Sequence, residues 1–384
     1  MKKTILMLST LTLYALSQAV SADTVEKQMP QGQLSVHTEQ VYSSWKSEAG
    51  AKGYQLATPF SLTYQNKNFD AGIRRAFIIS SNKTPDREGK VSHWSDTSLS
   101  LGYSAFSQSN FPVRFNLSAN LPNGKATLSG KEKNAVMDGN LVWQTRFGEG
   151  FNITPGISIA HSFTEKDTVG FGMSYGWRGK FDPNGDVEND EINPGNETVA
   201  TLNYQRNSQR YSIDTGVTYR HAGVTKRDGK DYYRKGVLWS FETNAAAALT
   251  EKHQVYGGLY FARRKRDHYI NNATGNLEIE QFNSNGNTLS ANIGYSYRLK
   301  PNANIGLTAD YLKVGSNSYD QINALFVPKR KKWSVGANYR HQWSNKLTAS
   351  ISAKRFKMHD DESPYISEQD FKGWNVSASL KYMY

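Results

Sequence analysis

The sequence predicts an all-β fold, an antiparallel transmembrane β-barrel. Three observations predict it. Segments of about ten residues alternate apolar with polar side chains, which puts one kind on each face of a strand. Short links alternate with long polar ones, as expected for short turns at one rim and long loops at the other. Beyond residue 22, no stretch of the chain holds the ~20 continuous apolar residues that a membrane helix needs. Mean hydropathy is negative, but in a barrel the lipid and lumen faces cancel in such an average.

The chain opens with Lys2 and Lys3, a mostly apolar run from Thr4 to Leu16, and Val20-Ser21-Ala22. This is the pattern of a secretory signal peptide over 1–22, cut after Ala22. A short periplasmic segment, 23–32, leads into a barrel over 33–384. In the first half, strands are predicted near 33–45, 53–65, 69–80, 95–106, 111–121, 139–147 and 150–163. In the second half the alternation is cleaner. Val169, Phe171, Met173, Tyr175 and Trp177 oppose Gly170, Gly172, Ser174, Gly176 and Arg178. Leu289 to Tyr297, Ile305 to Tyr311, Trp333 to Tyr339 and Leu347 to Ala353 repeat the pattern. Short links fall at Asn207-Ser208, Thr250 to Lys252, Pro301-Asn302 and Ser344-Asn345. Long polar links fall at 180–196, 222–231, 265–286, 315–329 and 357–370.

Ten later strands added to these seven give seventeen, whereas bacterial single-chain barrels have even numbers. The prediction is therefore about sixteen strands, with fourteen as the alternative. The turn rule fails somewhere between 107 and 163. The suspect region is 121–150, where Ser129 stands in position to cap a short helix over 130–138. The loop 121–139 is long and of mixed polarity, and is expected to fold inward as a constriction.

Composition agrees with a barrel and excludes several chemistries. The chain has 22 Tyr, 17 Phe and 8 Trp, enough for aromatic girdles at two interfaces. It has no cysteine, which removes disulfides and thiol catalysis. No cofactor motif occurs.

The last strand, Trp374 to Tyr384, puts Trp374, Val376, Ala378, Leu380, Tyr382 and Tyr384 on one face and ends on an aromatic. It resembles the C-terminal sorting strand of bacterial outer-membrane proteins, which implies the barrel-assembly machinery as a partner. The segment Arg114 to Gly124, R-F-N-L-S-A-N-L-P-N-G, resembles outer-membrane transporters linked to aromatic-degradation pathways. These often carry an L-x-L-P-T-G-like strand end; here Asn123 replaces the Thr. The resemblance implies uptake of small molecules.

Charge gives the functional clue. Net charge is +12. Alternation turns Arg114, Arg178, Arg220, Arg264, Arg298, Arg340 and Lys354 inward, against Asp214, Glu242 and Asp310. Rings of cations in a narrow pore favour anions; the competing reading is that the arginines pair with acids across strands. Outside the lumen, the clusters Arg263 to Arg266 and Lys329 to Lys332 border outer loops. They are suited to lipopolysaccharide phosphates, whereas nucleic acid is not an expected partner. An acidic run, Asp182, Asp186, Glu188, Asp190, Glu191 and Glu197, raises the question of a hard cation, although its order departs from an EF-hand. His268 beside Asp267, and His359 beside Asp360 and Asp361, are the candidates for surface hydrolysis, without a G-x-S-x-G elbow. The expectation is an outer-membrane channel for small, anionic or amphipathic solutes. A barrel that exports or anchors a surface polymer is the alternative, and a hydrolase is a third possibility.

Overall fold

The computed structural model describes residues 32–384 apart from 108, 189 and 366. The signal-peptide reading over 1–22 and the segment 23–31 lie outside the described residues.

Sixteen antiparallel spans form one closed sheet. They are β1 (Gln33–Ser47), β2 (Lys52–Gln65), β3 (Phe69–Lys83), β4 (Glu88–Trp94 continued by Thr97–Ala105), β5 (Val113–Leu121), β6 (Asn152–Ser162), β7 (Asp167–Arg178) and β8 (Glu197–Asn207). The second half holds β9 (Tyr211–Ala222), β10 (Leu238–Ala248), β11 (His253–Arg264), β12 (Thr288–Lys300), β13 (Ala303–Val314), β14 (Arg330–Gln342), β15 (Leu347–Asp360) and β16 (Gln369–Met383). Each pairs with its sequence neighbours, and β1 pairs with β16 from Ser35↔Met383 to Ser47↔Phe371. That last pairing closes the barrel and leaves no open edge in lipid.

The register assigns the faces. Leu307 and Val335 are 59% and 62% exposed, and Trp333, Phe171 and Ile293 are exposed with them. These outward side chains meet lipid. Their strand neighbours, such as Gly306, Gly336, Gly172 and Asn292, face inward. The alternation predicted for the second half is the alternation observed.

One feature of the first half accounts for the odd strand count predicted above, and a second shifts a strand boundary. Residues 139–147 form no strand; they belong to the link 122–151 between β5 and β6. Their apolar side chains pack on the lumen wall rather than on lipid, and this contact imitates a strand pattern. Residues 88–94, expected to lie in a link, are instead the upper half of β4. This strand faces Phe77–Lys83 of β3 above and Phe69–Arg74 below, broken at Ser95-Asp96. The link expected over 357–370 is shortened likewise, because β15 runs to Asp360 and β16 starts at Gln369.

The break in β4 has a visible purpose. The buried Asp96 carboxylate accepts from Gly124 N–H at 2.6 Å, Glu149 N–H at 2.7 Å and Asn120 Nδ2 at 2.8 Å. It thereby holds both roots of the 122–151 loop. Asn123 Oδ1 accepts from Thr97 N–H at 2.9 Å beside it. A Cβ on Gly124 would meet Asp96 N and Phe147 O at 2.4 Å, so only glycine passes there.

Above the rim, pieces of three loops form a separate five-stranded sheet in the order Leu277–Ile279, His268–Ile270, Lys230–Arg234, Val224–Arg227, Ile192–Asn193. Its central hairpin turns at Asp228-Gly229, both with positive φ (51° and 76°), the pairing that a two-residue type I′ turn selects.

Removing the Asp96 carboxylate leaves two loop-root N–H groups without their acceptor. Asp96→Ala should therefore cost about 2–4 kcal/mol of barrel stability. It should also speed trypsin cleavage within 122–151 of the refolded protein, read by denaturant unfolding and peptide mapping. Unchanged stability and an equally resistant loop would refute this role.

Candidate functional site: the barrel lumen

The 122–151 loop does fold inward, over a longer span than the expected 121–139. A 3-10 helix occupies Gly130–Ala135, where a helix over 130–138 was expected. At its start, the Glu132 carboxylate accepts from Ser129 N–H at 3.2 Å. The helix lies so close to β4 that a Cβ on Gly89 would meet Lys131 O at 2.4 Å.

Two apolar clusters seat the loop on one side of the lumen. Leu128, Ala135 and Phe147 pack on Ala57, Ala76, Ile78 and Val91, which are inward residues of β2, β3 and β4. Met137, Leu141 and Val142 pack on Trp45 of β1 and on Phe356 and Met358 of β15. Polar contacts then fix its position. Ala135 O accepts from buried Ser80 Oγ at 2.8 Å, and Gln55 exchanges hydrogen bonds with Gln144 at 2.8 and 2.9 Å. Arg330 bridges Asp138 of the loop and Asp360 of β15, and Lys332 Nζ donates to Asn140 O. Arg74 stacks over Trp143 at 5.5 Å. The wall from β14 through β1 to β4 is therefore lined by the loop. The wall from β6 to β13 keeps its small polar side chains facing the lumen.

The ten charged residues singled out above all fall on the inward register. Arg114 pairs with Asp70 at 2.5 Å, and Lys354 pairs with Asp310 at 2.8 Å. Glu197 sits between Arg178 at 3.2 Å and Arg220 at 3.5 Å. Arg264 donates to Gly236 O at 3.2 Å. For these five cations cross-strand or loop contacts use the charge, the competing structural reading. Arg298 and Arg340 differ. They flank Asn304 from either side near the periplasmic rim and are exposed, and their guanidinium groups make no ion pair or hydrogen bond with another described residue. Of the acids, Asp214 faces Gln205 and Asn244, and Glu242 accepts from Asn244 Nδ2 at 3.0 Å. Neither has an ion-pair partner among the described residues.

Residues outside that set also shape the lumen: Asp96, Asp138, Arg330, Lys332 and Arg74. A break within a strand carries no periodic signal: from sequence alone a strand is predicted to start at Ser95, and Arg330 and Lys332 fall in a basic cluster at the outer loops rather than in the lumen.

Most of the acidic run is spent on internal contacts, Glu188 being exposed. Asp190 takes Arg227 at 2.6 Å, Glu191 takes Lys180 at 3.0 Å and Glu197 takes the two arginines. Asp186 meets Lys133 Nζ at 2.7 Å and accepts from Gly130 N–H, joining this loop to the inward one. The predicted hydrolytic pairs are similarly occupied. Asp267 is buried and accepts from Gly236 N–H and Asn285 Nδ2, while His268 Nε2 stands 2.8 Å from Arg234. His359 contacts Asp361 at 3.2 Å, Asp370 at 3.0 Å and Glu368 at 3.5 Å. His359, Glu368 and Asp370 bring donor atoms within 4.8 Å of one another, an arrangement that a cation or the proton of His359 can satisfy.

The Asp186–Lys133 contact gives a pH dependence. Hydrogen bonding from Lys133 first, then from Gly130 N–H, holds the Asp186 carboxyl below the usual aspartate range. A depressed carboxyl stabilises the folded arrangement above its unfolded value and loses that stabilisation as pH falls through its folded value. Current fluctuations from the inward loop should thus rise in acid, below about pH 3.9, and Lys133→Met should raise them already at neutral pH. Single-channel recording reads this, and fluctuations independent of pH and of Lys133 would count against it.

No family model and no curated protein matches the sequence. Among solved structures, similar chains include the CymD monoaromatic hydrocarbon channel, with 12% identity, TM-score 0.45, covering 93% of this chain and 90% of that one. Acinetobacter baumannii OccAB4 has 10% identity and TM-score 0.48, over 94% and 100% of the two chains. A bacterial polysaccharide outer membrane secretin has 10% identity and TM-score 0.47, over 92% and 98%. The closed sheet, the apolar aromatic exterior and the polar interior are the physical requirements of a lipid-embedded barrel, and the protein is a sixteen-stranded, multi-pass outer-membrane β-barrel.

Proposed function

We propose that the protein is an outer-membrane channel through which small solutes diffuse, with a preference for anions set near the periplasmic rim. One observation carries the reading: Arg298 and Arg340 are inward and exposed, and their side chains have no counter-ion among the described residues. The other arginines largely stabilise the wall. An unpaired cation in a water-filled, low-dielectric bore attracts anions and repels cations. The inward loop narrows the bore from one side, and Gly, Ser, Thr and Asn line the other.

Asp214 and Glu242 oppose this field from β9 and β10, so the selectivity expected is modest. For an amphipathic solute the loop offers the exposed Val136, since its other apolar side chains are mostly buried on the wall. A barrel that exports a polymer would share the scaffold but not the selectivity, and a surface hydrolase would need the outer loops rather than the bore.

Planar-bilayer recording of the refolded protein across a potassium chloride gradient tests the reading. Steady steps with an anion-directed reversal potential support it. Arg298→Glu with Arg340→Glu should move the reversal potential toward cations, whereas Arg178→Gln should change it little. A correctly folded but silent barrel would overturn the channel, and an unmoved reversal potential would overturn the role of the two arginines.

A further inference from the structure

The outward face near the extracellular rim carries a row of lysines that only the strand register reveals. Lys313 of β13 stands opposite Lys331 of β14. Two strands on, Lys357 of β15 faces Lys372 of β16. Across the closing seam Lys372 faces Lys46 of β1, Lys46 faces Lys52 of β2, and Lys52 faces Lys83 of β3. Each lies on the same face as the lipid-exposed residues of its strand. In the sequence these seven lysines are scattered from position 46 to position 372.

Like charges directly opposite across strands repel. None of the seven ammonium groups makes an ion pair or hydrogen bond with another described residue, and six of the lysines are exposed. The carboxylates nearest in register are Glu88, opposite Lys83, and Asp370, opposite His359, which already takes His359 at 3.0 Å. Lysines often guard the open edge of a sheet against pairing, but a closed barrel has no edge to guard. Among the described residues the row therefore has no carboxylate in ion-pair contact with it.

Its height identifies what supplies that charge. Two residues inward along the same strands and faces stand Tyr311, Trp333, Trp374 and Tyr54. Aromatics of this kind sit at the headgroup level of a bilayer. Two residues of strand rise only about 7 Å, so the ammonium groups reach the phosphate layer of the outer leaflet.

We infer that this row, from β13 across the seam to β3, binds the phosphate groups of outer-leaflet lipid, with lipid acyl chains lying on the aromatic and aliphatic face below. The inference is independent of what passes through the lumen. It also revises the sequence reading of the basic clusters. Within Lys329 to Lys332, Lys329 pairs with Asp361, Arg330 with Asp138 and Asp360, and Lys332 turns inward; only Lys331 joins the row.

The test uses the full chain refolded in detergent, with bisphosphorylated lipid A as the probe and bound lipid counted by native mass spectrometry. The variant K46Q/K52Q/K357Q/K372Q removes four members of the row. The control K166Q/K252Q/K300Q/K346Q removes equal charge at the periplasmic turns. Each lysine near a charged lipid surface contributes about 1 kcal/mol, so the row variant should bind lipid A at least about tenfold more weakly. The control should bind like the parent, and lipid A stripped of phosphate should bind the parent as weakly as the row variant binds the intact lipid. Equal weakening in both variants, or none in the row variant, would overturn the inference. Displacement of lipid A by equimolar inorganic phosphate would overturn lipid as the occupant. Heat-modifiable mobility of each variant on gels establishes that it has folded.

Discussion

Lipid offers a backbone amide no hydrogen-bond partner, and every other feature of this protein depends on how that constraint is met. The solution is the seam between β1 and β16, which converts a sixteen-strand sheet with two open edges into a cylinder without any. Once the sheet is closed, alternate side chains are committed to lipid or lumen. Small inward residues such as Gly170, Gly172, Gly258 and Gly306 then matter because inward side chains converge. Lys46 and Lys372 become neighbours only through that seam, and so does the continuity of the lysine row.

The lumen is asymmetric for a related reason. A β-barrel of this size encloses more space than its inward side chains fill, and here one loop occupies part of it. The loop is not held by charge alone. Phe147, Ala135 and Leu128 are buried against Ile78 and Ala57, and Met137 and Leu141 against Trp45 and Phe356. Those wall residues would be misplaced in a water-filled pore and are explained by the loop that covers them. The polar contacts at Asp96, Gln55, Ser80 and Arg330 fix its register on the wall, because each is directional while apolar burial is not.

Charge inside the barrel serves two purposes that composition cannot separate. Arg114, Arg178, Arg220 and Lys354 meet carboxylates, and such pairs hold strands and loops in place. Arg298 and Arg340 meet none among the described residues, and the proposed anion preference rests on these two. The same division holds outside, where Lys329 and Arg330 are engaged by acids and Lys331 is left to the membrane surface.

The sequence by itself determined the barrel, the strand faces in the second half and the alternation of short and long links. All of these follow from a period of two, which a linear chain records directly. It misread 139–147 as a strand and 88–94 as a link. In the first case apolar side chains packed on an inner wall carry the same pattern as side chains facing lipid. In the second, the break at Ser95-Asp96 shifts the alternation midway. Which arginines are free, how the loop is anchored and which lysines stand side by side were decided only by the tertiary structure. Each depends on register between strands up to 326 positions apart, as with Lys46 and Lys372, and no local pattern encodes such a register.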